Sequence, residues 1–438
     1  MSESFDFVFE RANSALLTQD FEYAERLLTN VLKKHPDILP SDKEKIENLL
    51  ARIYGDEGDL ERALDAYLRL YEREPDNIEL MLHLGRIYRH LERYDDALKI
   101  LEKAKDIGGD TDEVLYSFAK TYKRMHNYDK AVDYFSRAIE IKPDHAHAYD
   151  RLGNLYVLIG ETDKAIEVYK KGLQVDSNHP YLNFHLAGLL RQQKRYEEAI
   201  VYYNSALRIN PAWDEVLAGI AAAYLQLDKL DDALNAYRSL LRVTGENAPL
   251  YTQLGFLFEK KQLQQEAEQY YYDALAIDSG YAPAAFALTR LLEKKQRYNE
   301  ALPVLLAAEI APANAENHVL RLKAIQMCMY AKDYAKAYEI FGRLDAEHSN
   351  SLSALKLRGQ LYALTGESEQ AEETFKQILK IAPAAIEFRQ ELAEQYLLAH
   401  KYEEAKEQLK LFLRQRPDDI YALMALGKAE ELLNNPQA

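Results

Sequence analysis

Apolar residues recur along this chain at i, i+3 and i+4, the spacing that gathers them on one face of an α-helix, and charged residues fill the positions between. The stripes come in pairs. In one pair Leu84, Gly85 and Tyr88 mark a first helix, and Ala97, Leu101 and Ala104 mark a second. Moving 34 residues along gives Phe118, Ala119, Tyr122, Ala131, Phe135 and Ala138; another 34 gives Leu152, Gly153, Tyr156, Ala165, Tyr169 and Gly172. The period runs without drift from Glu44 to Ala315, eight units in succession. Self-similarity at this period predicts stacked copies of one helical hairpin.

The small residues have a packing role. Gly or Ala at unit position 8 and Ala at position 20 (Ala24, Ala63, Ala97, Ala131, Ala165, Ala199, Ala233, Ala267) let the two helices of a hairpin approach closely. Proline near position 32 ends the second helix because it cannot donate the helical hydrogen bond. Pro36, Pro75, Pro143, Pro211, Pro383 and Pro417 occupy that place.

This pattern closely resembles the tetratricopeptide repeat family: a large residue, Leu-Gly, Tyr, Ala, an aromatic, Ala and Pro at set offsets. The resemblance covers twelve units, residues 5–38, 44–77, 78–111, 112–145, 146–179, 180–213, 214–247, 248–281, 282–315, 316–351, 352–385 and 386–419, with a capping helix at 420–434. It implies an all-α solenoid of antiparallel helix pairs, a single right-handed superhelix over residues 1–438 with first helices on its concave wall. The departures are an insertion at Leu39–Lys43, Gly108-Gly109 in place of a proline, Thr289 at the small position, Pro312 one place early, and a unit 316–351 that is two residues long. An irregular packing angle is expected near residues 310–350.

In this family positions 2, 5, 9, 12 and 13 of the first helix point into the groove. Carried over, they supply Lys45, Arg52, Arg86, Arg89, His90, Lys120, Lys123 and Arg124, opposed by Asp56, Glu79 and Glu113. Further along they supply Val157, Leu158, Tyr181, Phe184, Leu225, Phe256 and Phe286, with Tyr116 and Tyr181 as candidate ligand contacts. The expectation is a basic wall followed by an aromatic one, binding a partner peptide or helix that carries acidic and apolar groups. The two-carboxylate clamp of some family members needs Lys then Asn at positions 5 and 9; this chain has Asn48 and Arg52, then Tyr116 and Lys120, so chaperone binding is not carried over.

Charge sharpens this reading. The net charge is −16, so a basic stretch runs against the global sign, and general nucleic-acid binding is disfavoured. The only cysteine, Cys328, sits between Met327 and Met329 and is expected to be buried rather than reactive. The opening MSESFDFVFE lacks a basic n-region and a long apolar h-region, and no run of 18 apolar residues occurs, so a cytoplasmic protein without membrane insertion is expected.

Catalytic and metal signals are weak. His145 and His147, with Asp144 and Asp150 nearby, fall where a helix begins and should diverge; His179 and His185 flank another helix start. No phosphate loop, nucleophile elbow or H-E-x-x-H occurs, and no stretch remains for a catalytic domain. Trp213, after Pro211 at a unit's end, reads as packing. No metal, cofactor or enzyme activity is therefore expected. The leading expectation is a protein–protein interaction scaffold; the alternative is a structural protein that self-assembles through its apolar groove or end helices.

Overall fold

The computed structural model describes residues 5–35 and 38–434, and among them no strand occurs. The chain divides into two compact units, residues 1–227 and 228–438. The first holds the pairs Phe5–Leu17 with Phe21–Lys34, Pro40–Glu57 with Leu60–Arg73, Ile78–His90 with Tyr94–Gly108, Asp112–Arg124 with Tyr128–Ile141, Ala146–Leu158 with Thr162–Val175, and Pro180–Gln192 with Tyr196–Ile209, then the helix Asp214–Gln226. The second opens with Leu230–Thr244 and continues with Ala248–Lys260 and Gln264–Ile277, Ala282–Lys294 and Tyr298–Glu309, His318–Tyr330 and Tyr334–Phe341, Leu352–Thr365 and Ser368–Ile381, Glu387–Leu398 and Tyr402–Leu413, and Ile420–Asn434. The architecture is all-α, built from consecutive helix pairs.

Close approach within a hairpin depends on the small positions. Ala63, Ala97, Ala131, Ala165 and Ala199 are fully buried in the first unit, and Ala233 and Ala267 in the second. Opposite the small residue of the first helix lies the large residue 16 positions later. A Cβ at Gly153 would meet the Tyr169 ring at 2.2 Å, and one at Gly255 would meet Tyr271 at 2.3 Å. The ring fills the space that the missing methyl leaves.

The turn joining the two helices of a hairpin has one conformation throughout. Its left-handed residue is Gln19, Gly58, Glu92, His126, Gly160 or Lys194 in the first unit and Asp228, Gln262, Gln296, Lys332, Gly366 or His400 in the second. Side-chain caps then start many helices: Asn77 accepts from Leu80 N, Thr111 from Val114 N, Asn317 from Leu320 N and Ser351 from Ala354 N. Second helices end just before Pro75, Pro143, Pro211 and Pro383; Pro36 lies outside the described residues.

The regular pattern breaks at residues 310–350. Pro312–Asn314 forms a 3₁₀ turn, the second helix Tyr334–Phe341 shrinks to 8 residues, and an extra turn, Ala346–Ser349, follows it. Buried Glu309 holds these pieces, accepting from Arg321 Nε at 3.2 Å and Arg343 Nη1 at 2.6 Å.

Candidate functional site

The basic residues picked out by position lie on consecutive first helices of the first unit. Arg86 and Arg89 are three apart on Ile78–His90, and Lys120, Lys123 and Arg124 occupy the last turns of Asp112–Arg124. Arg151, on Ala146–Leu158, joins them. Arg89 is only 5% exposed, and among the described residues no carboxylate forms an ion pair with Arg89, Lys120, Lys123 or Arg124. Arg86 reaches Asp56 at 3.9 Å, and Arg151 reaches Asp150 at 3.9 Å, both long contacts.

The electrostatic consequence is strong. Burial, then Arg86 and Arg124, pushes the Arg89 guanidinium down to about 10. Burial, then Arg89, Arg151, Arg86 and Arg124, pushes the Lys120 ammonium down to about 8. Lys123 is lowered by burial, then Arg151 and Arg124, and His90 by burial, then Arg89, Arg124, Arg86 and Lys120. Lys120 also lies over the Tyr116 ring at 5.4 Å. Lys45 and Arg52 are exposed and paired with Asp42 at 3.6 Å and Asp56 at 3.5 Å, so they stand outside the uncompensated cluster.

Beyond Arg151 the lining changes from charge to aromatic. Asp150, 4% exposed, accepts from His185 Nδ1 at 2.7 Å, and the His185 ring neighbours that of Tyr181. Tyr181, Phe184 and Trp213 then form an open cleft of about 380 Å³ with Pro180, His185 and Ile209. Trp213 packs against Phe184 with ring centroids 4.8 Å apart and edge-on to Tyr181 at 5.3 Å. Tyr181 is 52% exposed. Position along the unit points to Tyr181 and Phe184. For Trp213 the sequence suggests packing alone; its ring does pack, and it also forms a wall of this cleft. A signal for the second role exists, since Trp213 stands where the turn after Pro211 leads into the next helix.

Among the other candidates, only Tyr116 touches this arrangement, through Lys120. Tyr116 is half-buried, edge-on to Phe135 and tilted against His145. Phe256 and Phe286 belong to the second unit; both are half-buried, Phe256 edge-on to Tyr271 at 5.7 Å and Phe286 against the core around Leu288. Val157 and Leu158 are exposed. His145 Nδ1 lies 3.3 Å from Asp112 Oδ2 without a hydrogen bond between them, while His147 meets His179 Nε2 at 3.4 Å, so the two histidines diverge. The Nδ1 of His179 accepts from Leu182 N, so its Nε2 carries the proton and donates to His147. Cys328 is buried, and burial pushes its thiol up to about 11. No helix among the described residues is long and apolar enough to cross a membrane.

Models of the tetratricopeptide repeat match residues 48–77, 76–144, 110–178, 151–212, 190–254, 248–281 and 353–384, more than half of the chain. No match is found among curated proteins. Similar solved structures include the C-terminal part of a TPR repeat-containing protein from Cytophaga hutchinsonii, 16% identical over 54% of this chain and 98% of that one, with a TM-score of 0.47. A tetratricopeptide repeat protein from Parabacteroides merdae is 19% identical over 57% and 98%, TM-score 0.37. The pilF protein of Pseudomonas aeruginosa is 16% identical over 50% and 97%, TM-score 0.40.

Proposed function

Because the chain belongs to the tetratricopeptide repeat family, whose members generally mediate protein–protein interaction and are typically non-enzymatic, we propose that it is a scaffold holding a partner segment on the first unit. The segment carries acidic side chains that meet Arg86, Arg89, Lys120, Lys123 and Arg124, and a bulky apolar side chain that enters the Tyr181–Phe184–Trp213 cleft.

The observation that carries this reading is Arg89, buried beside Lys120 with no carboxylate to neutralise either. An unpaired buried charge is costly, and clustering cations raises the cost. In a chain with 71 acidic residues, a compensating Asp or Glu was easily supplied. A partner's carboxylates remove the penalty on binding, so the free protein's strain becomes affinity and specificity. The aromatic cleft adds an anchor of the kind that dominates binding energy.

Trp213 is the only tryptophan, so its fluorescence reports occupancy of the cleft directly. Synthetic peptides pairing a run of Asp or Glu with a Leu or Phe should change it with affinities of micromolar to submicromolar order, about −8 to −9 kcal/mol. The double variant Arg86→Glu, Lys120→Glu should bind at least tenfold more weakly. Equal binding by the variant removes the basic cluster from the site.

Self-association has one observation of its own. The helix Ile420–Asn434 exposes Ile420, Tyr421 and Met424 at 68%, 79% and 68%. Concentration-dependent light scattering that disappears in Tyr421→Lys supports that reading; a monomer at all concentrations rejects it.

A further inference from the structure

We infer that His318, Asp345 and His348, in the irregular part of the second unit, form a site for one zinc-type divalent metal ion, with water completing its coordination. The inference stands apart from the peptide-binding reading and concerns other residues. Position along the repeat does not point to this cluster, because two of its members sit on the extra turn that the two added residues create. His318 is the first residue of the helix His318–Tyr330, and Asp345 and His348 flank and belong to the turn Ala346–Ser349. One ligand atom from each of the three lies within 4.8 Å of the others.

The donor set is two imidazoles and a carboxylate, the nitrogen and oxygen chemistry that zinc accepts in open sites. Tetrahedral bonds of about 2.0–2.1 Å place neighbouring ligand atoms roughly 3.3 Å apart. Asp345 Oδ2 lies 3.6 Å from His318 Nε2, close to that edge, and 2.9 Å from His348 Nδ1 before the His348 ring moves. The other carboxylate oxygen, Oδ1, accepts from the His348 backbone N–H at 2.8 Å. The backbone thus holds the carboxylate in place and leaves Oδ2 for an ion, as outer contacts do in built sites.

Helix capping accounts for Asp345 and for His348 near it. It does not account for His318, whose ring stacks on His348 with centroids 3.3 Å apart and 14° between planes. Nor does hydrogen bonding, because His318 Nε2 lies 3.6 Å from Asp345 Oδ2, beyond hydrogen-bond reach. An imidazole lone pair lies in the ring plane, so one ion cannot serve two parallel stacked rings. Coordination requires the His348 ring to swing out of the stack. His348 sits on a single turn at the surface, whereas His318 is anchored at the start of a 13-residue helix. With Nδ1 on the ion, the His348 N–H resides on Nε2.

The test uses full-length protein stripped with chelator and titrated with Co²⁺. The expected result is one equivalent giving the intense visible absorption of four-coordinate cobalt, displaced by Zn²⁺ and untouched by Mg²⁺. Asp345→Asn keeps the helix cap, since asparagine caps as well as aspartate, and removes the anionic ligand. It and His348→Ala should each weaken Co²⁺ binding by roughly tenfold or more, with unchanged circular dichroism. Wild-type protein without that absorption overturns the inference, as does Asp345→Asn or His348→Ala binding Co²⁺ as tightly as wild type.

Discussion

Gly153 and Tyr169 occupy one space: a Cβ on Gly153 would come within 2.2–2.7 Å of three atoms of the Tyr169 ring, which is fully buried and donates to Asn154 Oδ1 at 2.9 Å. The glycine is required by that ring and by nothing in its own backbone. Gly153→Ala therefore forces the ring to move, an overpacking cost of about 1–3 kcal/mol, against a gain of about 1 kcal/mol in helix propensity. Net destabilisation is expected in urea unfolding. Gly188, in the next first helix, has no neighbour nearer than the Tyr203 hydroxyl at 4.0 Å. Gly188→Ala should stabilise by about 0.5–1 kcal/mol.

The hairpin turns allow a second contrast. Gly160 has φ +84°, and a Cβ added there would meet nothing within 4 Å, so Gly160→Ala tests backbone strain alone. It should cost about 1 kcal/mol. Gln262 has φ +61° in the same kind of turn, and Gln262→Gly should stabilise by a few tenths up to about 1 kcal/mol. Urea midpoints of the two variants, moving in opposite directions, check the argument.

Glu309 is the structural centre of the irregular region. Glu309→Ala leaves Arg321 partly buried without its carboxylate and should cost about 3–5 kcal/mol. The double variant Glu309→Ala, Arg321→Met should recover part of the loss, because the stranded charge is gone. Thermal unfolding of the single and double variants measures the difference.

Lys120 sets a pH dependence. Its ammonium is pushed down to about 8 in the free protein, and a bound carboxylate raises it toward its ordinary 10.5. Between those values binding takes up a proton, so peptide affinity should fall as pH rises through 8, by at most roughly tenfold per pH unit. The same shift makes the unfolded chain hold the proton more tightly, so Lys120's contribution to stability becomes more favourable over that range. Lys120→Arg keeps a cation there, so its peptide affinity should fall less steeply through pH 8 than that of the wild type, the remaining slope coming from Lys123 and Arg89.

Much of the fold was legible because a 34-residue hairpin leaves residue-by-residue traces: Ala97 and Ala131 at the crossing, Pro75 and Pro143 after the second helix, Tyr169 facing Gly153. The candidate site was legible in part. Offsets along the first helix picked Arg86, Arg89, Lys120, Tyr181 and Phe184, but no offset says that Arg89 is buried or that Asp56 takes up Arg52. Those depend on how neighbouring side chains fill space. Trp213 joins Phe184 through a turn between units, outside the helical register. His318 and His348 meet only because two added residues form another turn, and an insertion has no register to read.

The central claim is that uncompensated cations and the Trp213 cleft bind one segment together. The most direct measurement is Trp213 fluorescence during titration with three peptides: acidic run plus apolar anchor, acidic run alone, and anchor flanked by Asn and Gln. The account predicts micromolar or tighter binding for the first, at least tenfold weaker binding for the other two, and loss of the difference in Arg86→Glu, Lys120→Glu. Equal affinities for all three peptides, or a variant that still prefers the first, would contradict it.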